Sequence, residues 1–373
     1  MLCAVDPNKP FVQALCLTPT RELANQIIDD AIVPLSKYMP HITYELLVPD
    51  EPGKPSRLRG GTCTSHIVVG TPGTIKGLIA RKYLKNLRQT VKVFVCDEAD
   101  TMVDQRELGQ DTVQIKQQLD PLCQTLFFSA TYSDTILSFS KALVQKASVV
   151  KLKTNEDLLL TNIFQVRMDV NRRPNTGENK KLQVLKEIYG FFDIEQSIIF
   201  VTTRQDAANV AQMFLNEKYS VSFLHGKLGP DARDDEFRRF REGKTKVLVT
   251  TNVLARGVNV PSVDVVINYE MPTKPGLNGP AVDPDTYVHR MGRCGRFGRQ
   301  GTAINLLETP RDEQMLLEIE RHYKFGTGGP GGARMTEEWD PNDIEGLADA
   351  VRQRSAAAAE PVHLECSVEV SDD

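Results

Sequence analysis

Residues 91–104, VKVFVCDEADTMVD, decide the fold that we predict for this chain of 373 residues. The first six positions hold five apolar or nearly apolar residues, a pattern typical of a strand buried on both faces in a parallel sheet. This strand runs directly into Asp97, Glu98 and Asp100. Because carboxylates at the end of a buried strand are costly, we expect a cation or a reaction to use them.

The position of these carboxylates indicates a ligand site, because open α/β sheets bind ligands at the carboxyl ends of their strands. Asp97 suits a Mg²⁺ ion, which takes one or two protein carboxylates together with phosphate oxygens. Glu98 is then placed to polarise an attacking water molecule. The alternative interpretation is an acidic helix N-terminus after the strand, which the helix dipole favours.

The composition is that of a soluble globular protein, with 40% hydrophobic and 25% charged residues. The formal net charge of −4 argues against a broad, non-specific polyanion binder but permits a local basic groove. The seven cysteines form no C-x-x-C pair and no Cys/His cluster, which disfavours disulfides and zinc and indicates a reducing compartment. Because no apolar run approaches the roughly 18–20 residues that span a bilayer, we predict no membrane segment.

Small polar residues follow three further predicted strands in the first half, at 11–18, 66–70 and 125–128. Thr20 is in position to cap a helix, and Arg21 beside that helix's free N–H groups would make a phosphate site. The alternative for Arg21 and Glu22 is an ordinary solvated first turn. Ser129 and Thr131 would cap a helix, the commoner role, or bond a neighbouring carboxylate.

A second set of strands repeats this arrangement after a stretch with little periodicity. The sequence therefore predicts two α/β halves, each built on a doubly wound parallel sheet, with a ligand cleft at their boundary. We assign residues 1–152 to the first domain, 153–162 to a linker and 163–325 to the second domain. Residues 326–373 are assigned to a Gly-rich break and a disordered tail that begins at Arg352, after a short helix at 339–351. We also expect an edge strand at 148–152.

Residues 285–299, DTYVHRMGRCGRFGR, carry the second strong signal. Arg290, Arg293, Arg296 and Arg299 recur every three residues, which on an ideal helix would form one drifting stripe. Guanidinium groups at this density suit phosphate oxygens, and one that reaches a γ-phosphate from another domain acts as an arginine finger. The alternative is a solvated basic helix that pairs with surface acids.

Taken together, the motifs resemble those of the DEAD-box RNA helicases of superfamily 2, over residues 11–323. They occur in the family's order: PTRELA at 19–24, TPG at 71–73, DEAD at 97–100, SAT at 129–131, IIFVTTR at 198–204, TTNVLARG at 250–257 and HRMGRCGR at 289–296. The stretches 93–100, 241–257 and 267–290 are most similar to the branch that works in mRNA export at the cytoplasmic face of nuclear pores. The resemblance implies two tandem RecA-like domains, each a doubly wound parallel sheet.

The resemblance also implies a role for particular residues, with ATP and Mg²⁺ as cofactors. The catalytic residues would be Asp97, which holds Mg²⁺ through water, Glu98, Arg293 and Arg296. ATP would also contact Gly257 and Asn259. Hydrolysis would be coupled to RNA by Asp100, Ser129, Ala130, Thr131 and His289. RNA would contact Pro19, Thr20, Arg21, Glu22, Thr71, Pro72, Gly73, Arg204 and Thr251.

The activity that the resemblance implies is RNA-stimulated ATP hydrolysis with local separation of RNA strands. The partners would be single-stranded RNA or a short duplex within a ribonucleoprotein, with little sequence preference because the contacts are to the backbone. We expect a monomer in the cytoplasm and nucleus, including the nuclear-pore periphery, where pore and accessory proteins would activate it.

The sequence departs from the family pattern at three places. The phosphate-binding loop G-x-x-x-x-G-K-[ST] and the adenine-reading segment lie upstream of PTRELA in the family, and this chain begins after both. We therefore expect a first domain truncated at its N-terminus and a chain that is inactive by itself. Asn259 replaces the usual aspartate, which predicts weaker nucleotide affinity, and Ala232 replaces the glutamine usual before Arg233.

Two other functions remain open at this point. A non-catalytic RNA-binding adaptor would explain the missing loop, whereas the retained Glu98, Arg293 and Arg296 argue against it. A DNA helicase is disfavoured by the DEAD and PTRELA motifs.

Overall fold

The computed structural model describes residues 1–49, 61–129, 134–144, 148–152, 162–226, 228–251, 260, 262–276, 279–295, 299–323, 334–357 and 368–371. The chain forms two compact units, the first mainly Met1–Val149 and the second Val150–Val370. None of the helices within these described ranges combines the length and the apolar character that crossing a membrane requires.

The first unit contains a five-stranded sheet in which every neighbouring pair of strands is parallel. The strands are β1 (Ala14–Leu17), β2 (Tyr44–Leu47), β3 (Ile67–Gly70), β4 (Val93–Cys96) and β5 (Gln124–Phe127), in the order β2-β3-β1-β4-β5. The helices are α1 (Arg21–Gln26), α2 (Val33–Ser36), α3 (Pro72–Ala80), α4 (Leu87–Thr90), α5 (Ala99–Asp104), α6 (Arg106–Gln117) and α7 (Asp134–Leu143). A 3₁₀ turn covers Leu2–Ala4, and a π-helical segment, Ile27–Ile32, joins α1 to α2.

Strand β4 is buried on both faces, as predicted from its apolar run. Its alternate residues enter different cores: Phe94 belongs to the cluster that contains Met102, and Val93 to the cluster that contains Ile28. Helices therefore cover both faces of this sheet.

The predicted strands of the first unit are present, but the prediction missed β2, whose side chains are mostly only partly buried. The prediction of an edge strand at 148–152 is right about the strand but wrong about the sheet to which it belongs. It exists as β6 (Val149–Leu152), but its partner is β16 (Val368–Ser371) and not the five-stranded sheet. Among the described strands, β5 forms the edge of that sheet beyond β4, and its side chains are partly exposed.

The second unit contains a seven-stranded parallel sheet with the order β15-β7-β14-β11-β8-β10-β9. The strands are β7 (Ile163–Asp169), β8 (Gln196–Phe200), β9 (Val221–Leu224), β10 (Val247–Thr250), β11 (Val263–Asn268), β14 (Gly301–Leu307) and β15 (Glu337–Glu338). A separate antiparallel hairpin joins β12 (Thr273–Gly276) to β13 (Gly279–Val282). The helices are α8 (Lys180–Phe191), α9 (Arg204–Asn216), α10 (Pro230–Arg241), α11 (Pro284–Met291), α12 (Pro310–His322) and α13 (Ile344–Ala357), with a 3₁₀ turn at Val170–Arg172. The sequence predicted the seven strands of this sheet except β15, and it did not predict the hairpin.

The C-terminal segment differs from its prediction. Helix α13 runs from Ile344 to Ala357, so the disordered tail expected from Arg352 is wrong for residues 352–357 and for β16. Residues 352–356 are exposed, so specific contacts and not burial extend the helix. The guanidinium of Arg354 lies 3.9 Å from the ring centre of Phe164, and Arg352 Nη2 donates to Phe191 O at 2.9 Å. The linker residues 153–161 and the Gly-rich break at 326–332 lie outside the described residues.

Candidate active site

The acidic cluster lies where β4 ends, as the sequence predicted. The N–H of Asp97 donates to Leu17 O at 3.0 Å, which extends the pairing of β4 with β1 by one residue. Glu98 then adopts a left-handed backbone with φ 51° and ψ 52°, and α5 begins at the next residue. Such a backbone costs a non-glycine residue on the order of 1–2 kcal/mol, so the sharp turn that places these carboxylates is strained.

Burial, and then the charge of Glu98, raise the pKa of Asp97 from 3.8 to about 6, although the N–H of Glu98 partly offsets this by donating to Asp97 Oδ1 at 3.0 Å. Asp100 adds a further like charge. A hard divalent cation such as Mg²⁺ stabilises carboxylates that repel one another in a half-buried site. The described residues therefore fit Mg²⁺, with Asp97 as the carboxylate that would hold it.

The structure brings together Asp100 and Ser129, two of the residues assigned to coupling. The N–H of Asp100 lies 3.3 Å from Ser129 Oγ, and the N–H of Ala99 donates to Phe128 O at 2.9 Å. The end of β5 is thus tied to the first turn of α5. The other two residues of the motif, Ala130 and Thr131, lie outside the described residues.

The PTRELA motif lies just beyond β1 and opens α1. Thr20 Oγ1 accepts a hydrogen bond from the N–H of Leu23 at 3.3 Å, which confirms the predicted helix cap. Thr18 Oγ1 donates to Thr20 O at 3.0 Å and fixes the turn around Pro19. Arg21 Nη1 donates to Pro49 O at 2.7 Å, whereas Glu22 is buried. The solvated first turn is therefore wrong for Glu22.

The TPG motif lies beyond β3, with Pro72 and Gly73 as the first residues of α3. Thr71 N donates to Leu47 O at 3.2 Å, and its hydroxyl bonds Thr74 Oγ1 at 3.2 Å. Strand β1 pairs with both β3 and β4 in parallel register. The PTRELA, TPG and DEAD motifs therefore share one edge of the sheet, as expected.

In the second unit, Arg204 and Thr251 also share a sheet edge, because they follow the paired strands β8 and β10. Thr203 caps α9 by accepting a hydrogen bond from the N–H of Asp206 at 3.1 Å. Arg204 is the first residue of that helix, and it is exposed. Thr251 N donates to Leu224 O at 3.3 Å.

The arginine stripe predicted for residues 285–299 is wrong, because α11 ends at Met291 and Gly292 follows as its cap. Arg290 therefore lies on the helix, whereas Arg293 lies beyond it. The helix does not resume beyond this cap, because Gly295 has φ +68°, and a Cβ there would lie 2.9 Å from Ile163 Cγ1. The solvated alternative also fails, because Arg290 and Arg293 are 0% and 5% exposed. Only the pairing with a surface acid is observed, at the exposed residue Arg299, whose Nη1 lies 3.3 Å from Glu195 Oε2.

Arg293 Nε donates to the carbonyl oxygen of the buried residue His289 at 2.8 Å, so two residues with assigned roles are in direct contact. Arg290 Nη1 donates to Asn268 Oδ1 at 2.8 Å and to Glu270 O at 2.9 Å. Burial lowers the pKa of Arg290 to about 9, which leaves the guanidinium protonated at neutral pH. Sequence reasoning missed the contacts of Arg290 and of Glu270, since no local pattern marks them. Gly257, Asn259 and Arg296 lie outside the described residues.

Comparison with known proteins agrees with these motifs. The family model "DEAD/DEAH box helicase" matches residues 1–139, and "Helicase conserved C-terminal domain" matches residues 180–298. The chain is similar to the ATP-dependent RNA helicase DBP5 of Kluyveromyces lactis, with 43% identity over 87% of this chain and 65% of the relative. It thus spans about two thirds of the length of that relative, as it does of the Saccharomyces cerevisiae protein, of which it covers 66%.

Solved structures of S. cerevisiae Dbp5 are similar to the chain as well. Dbp5 bound to RNA and ADP BeF3 shows a TM-score of 0.80 and 37% identity over 94% of this chain and 83% of that one. A point variant of Dbp5, bound to Nup159, a variant of Gle1, IP6 and ADP, shows a TM-score of 0.58 and 34% identity over 94% and 84%. Both units of the chain are therefore RecA-like. The chain belongs to the DEAD-box helicase family, and within that family it groups with the Dbp5 helicases.

Proposed function

We propose that the protein containing this chain is an RNA-stimulated ATPase that separates short RNA duplexes or remodels ribonucleoproteins. The observation that carries the proposal is the placement of Asp97 and Glu98 at the carboxyl end of β4, beside the PTRELA and TPG motifs. With this placement, the residues proposed for ATP hydrolysis and the residues proposed for RNA binding would lie at the same edge of one sheet.

In this proposal Asp97 holds Mg²⁺, which when bound neutralises charge on the phosphate oxygens. Glu98 orients the attacking water and accepts its proton. Burial and the like charge of Glu98 disfavour a free Asp97 carboxylate, so the residue is suited to a cation. We keep Gly257, Asn259, Arg293 and Arg296 as proposed ATP contacts. Asp100, Ser129, Ala130, Thr131 and His289 are kept as proposed coupling residues.

The proposed RNA contacts are Pro19, Thr20, Arg21, Glu22, Thr71, Pro72, Gly73, Arg204 and Thr251. Backbone N–H groups at the starts of α1, α3 and α9 favour phosphate oxygens, so binding would depend on the RNA backbone. Arg204 is exposed and can meet a phosphate directly. We therefore expect little preference for base sequence.

We further propose a role in mRNA export at the nuclear-pore periphery, with the protein acting as a monomer. The similarity to the Dbp5 that has been solved with Nup159, Gle1 and IP6 supports this role. Accessory proteins of the same kinds are the partners that we propose for this protein. The domain limits 1–152 and 163–325, and the inactivity of the isolated chain, stay predictions.

The test measures ATP hydrolysis with and without single-stranded RNA in two proteins. One is this chain, and the other is this chain preceded by the upstream segment of the K. lactis relative. We expect RNA-stimulated turnover in the extended protein and its loss in the extended Glu98→Gln variant, since glutamine cannot accept the proton. RNA binding without hydrolysis in both proteins would contradict the proposal and favour an adaptor.

A further inference from the structure

Strand β9 is the last of the described strands in the seven-stranded sheet, next to β10. The N–H of Val247, the first residue of β10, donates to Ser220 O at 3.3 Å. Because backbone groups point alternately to the two sides of a strand within a sheet, the N–H and C=O groups of Val221 and Phe223 point away from β10. An added strand would form its hydrogen bonds with these outward groups.

The sequence of this edge favours pairing with a copy of itself. Residues 219–224, YSVSFL, include no charged residue, no proline and no glycine. Tyrosine, valine and phenylalanine favour strands, and uncharged six-residue segments of this kind associate when an edge exposes them. Every molecule carries the same edge, so two copies related by a two-fold axis can pair it antiparallel. A second copy of this chain is therefore the occupant that the sequence indicates.

A carboxylate on α10 occupies the middle of this edge. Glu236 Oε2 accepts a hydrogen bond from the N–H of Phe223 at 3.3 Å, and Glu236 Oε1 accepts one from Arg239 Nη1 at 2.8 Å. The outward donor of Phe223 is thus bonded within the molecule, to a side chain that carries a charge. Charged side chains at exposed strands are a common means of preventing strand addition. An added strand would have to displace this carboxylate.

The position of Glu236 is fixed by contacts that do not involve its carboxylate. Ser222 Oγ donates to Glu236 O at 3.0 Å and lies 2.8 Å from Thr245 Oγ1. Phe237 and Phe240 of the same helix are buried in the core of the second unit. Truncation of the Glu236 side chain leaves all of these contacts in place, so α10 should stay on the sheet when the carboxylate is removed.

We propose that the edge of β9 is a self-association surface that Glu236 blocks, and that removal of its carboxylate lets a second copy of the chain pair its own β9 antiparallel to this one. In that pair the N–H of Phe223 in each copy would donate to a carbonyl oxygen of the other copy and not to Glu236. The inference requires neither ATP nor RNA, so it stands or falls separately from the proposed activity.

Three variants separate strand pairing from other effects. Glu236→Ala removes the acceptor from the edge. Val221→Pro, added to Glu236→Ala, removes an outward N–H, a change that an edge strand tolerates because the lost donor does not face β10. Glu242→Ala is the matched control, since Glu242 is an exposed carboxylate at the end of the same helix and its Oε2 lies 2.5 Å from Lys244 Nζ.

The test is sedimentation equilibrium of the full chain over a series of protein concentrations. We expect the dissociation constant for self-association to be about 10-fold lower or more in Glu236→Ala than in the wild type, because association of the wild type must first break a hydrogen bond to a charged group. The Glu236→Ala/Val221→Pro and Glu242→Ala variants should associate as the wild type does. In Glu236→Ala, hydrogen exchange of the Phe223 amide should slow as the protein concentration rises.

A Glu236→Ala variant that associates no more tightly than the wild type would overturn the inference. Equal association of Glu236→Ala and the double variant would also overturn it, because a partly unfolded protein would associate whether or not the edge can pair. Association of Glu236→Ala without slower exchange at Phe223 would show that another surface is used, and the inference would fail.

Discussion

The guanidinium of Arg290 lies 4.7 Å from the ring centre of Phe200, and both side chains are fully buried in the second unit. A buried charge is costly unless polar groups replace its hydration. Here Asn268 Oδ1, the carbonyl oxygen of Glu270 and the aromatic face take the place of water. The arginine therefore supports the structure of the second unit.

The first prediction concerns this buried charge. Arg290→Met keeps most of the apolar volume but leaves Asn268 Oδ1 and Glu270 O without this donor, so we expect a loss of about 3–5 kcal/mol in the free energy of unfolding. Urea unfolding of the second unit measures it. Arg299→Ala is the control, because its pair with Glu195 is exposed and should contribute less than about 1 kcal/mol. Equal stability of both variants would contradict the prediction.

The second prediction concerns the pH dependence caused by Asp97. Its folded pKa of about 6 lies above the ordinary value of 3.8, so the folded state binds more protons between these values. Stability therefore falls as the pH rises from about 4 to 6, and the penalty remains above pH 6. Asp97→Asn should remove it and stabilise the protein by about 1–3 kcal/mol at pH 7, but not near pH 4.

Thermal unfolding with a chelator and without nucleotide measures this difference. Asp111→Asn serves as the control, because Asp111 forms a partly exposed pair with Lys76 at 2.7 Å. An Asp97→Asn variant that is no more stable than the wild type at pH 7 would show that the carboxylate is not under electrostatic strain.

The third prediction concerns the close approach of β2 and β3. A Cβ at Gly70 would lie 2.1 Å from Leu47 O, a backbone atom that cannot rotate away, so Gly70→Ala should destabilise the first unit severely. The matched substitution Gly77→Ala lies in α3, where nothing lies within 4 Å of the added Cβ. It should stabilise the helix by about 0.5–1 kcal/mol. The denaturant midpoints of the two variants measure this difference, and similar midpoints would refute the steric argument.

The fourth prediction concerns RNA affinity. Arg204 is exposed at the start of α9, so Arg204→Ala should weaken binding of single-stranded RNA without changing stability. The loss of one phosphate contact should lower the salt dependence of log K by about 0.7 and affect all RNA sequences alike. Fluorescence anisotropy over a series of salt concentrations measures this slope. Lys186→Ala removes an exposed positive charge from α8 and should leave the slope unchanged.

The acidic cluster shows what local sequence can predict. The apolar run of β4 predicted burial on both faces. Because Asp97 and Glu98 directly follow this run in sequence, they must lie at the carboxyl end of the strand. The sequence could not predict the left-handed backbone of Glu98, because it depends on hydrogen bonds between the loop and the ends of β1 and β5. The sequence also could not predict that α13 continues to Ala357. The last residues of this helix are polar or alanine, and they include too few apolar residues for a local pattern to indicate order.

The sequence by itself determined the fold class, the positions of most strands and the motifs that identify the family, because these depend on local periodicity and residue order. The tertiary structure decided which of the arginines are buried and which are exposed. Equal spacing predicted one stripe, but Gly292 ends the helix, Arg290 is drawn into a buried network and Arg299 stays exposed. The reason is that burial and hydrogen bonding depend on groups distant in sequence, such as Phe200 and Asn268, which no local pattern connects to an arginine.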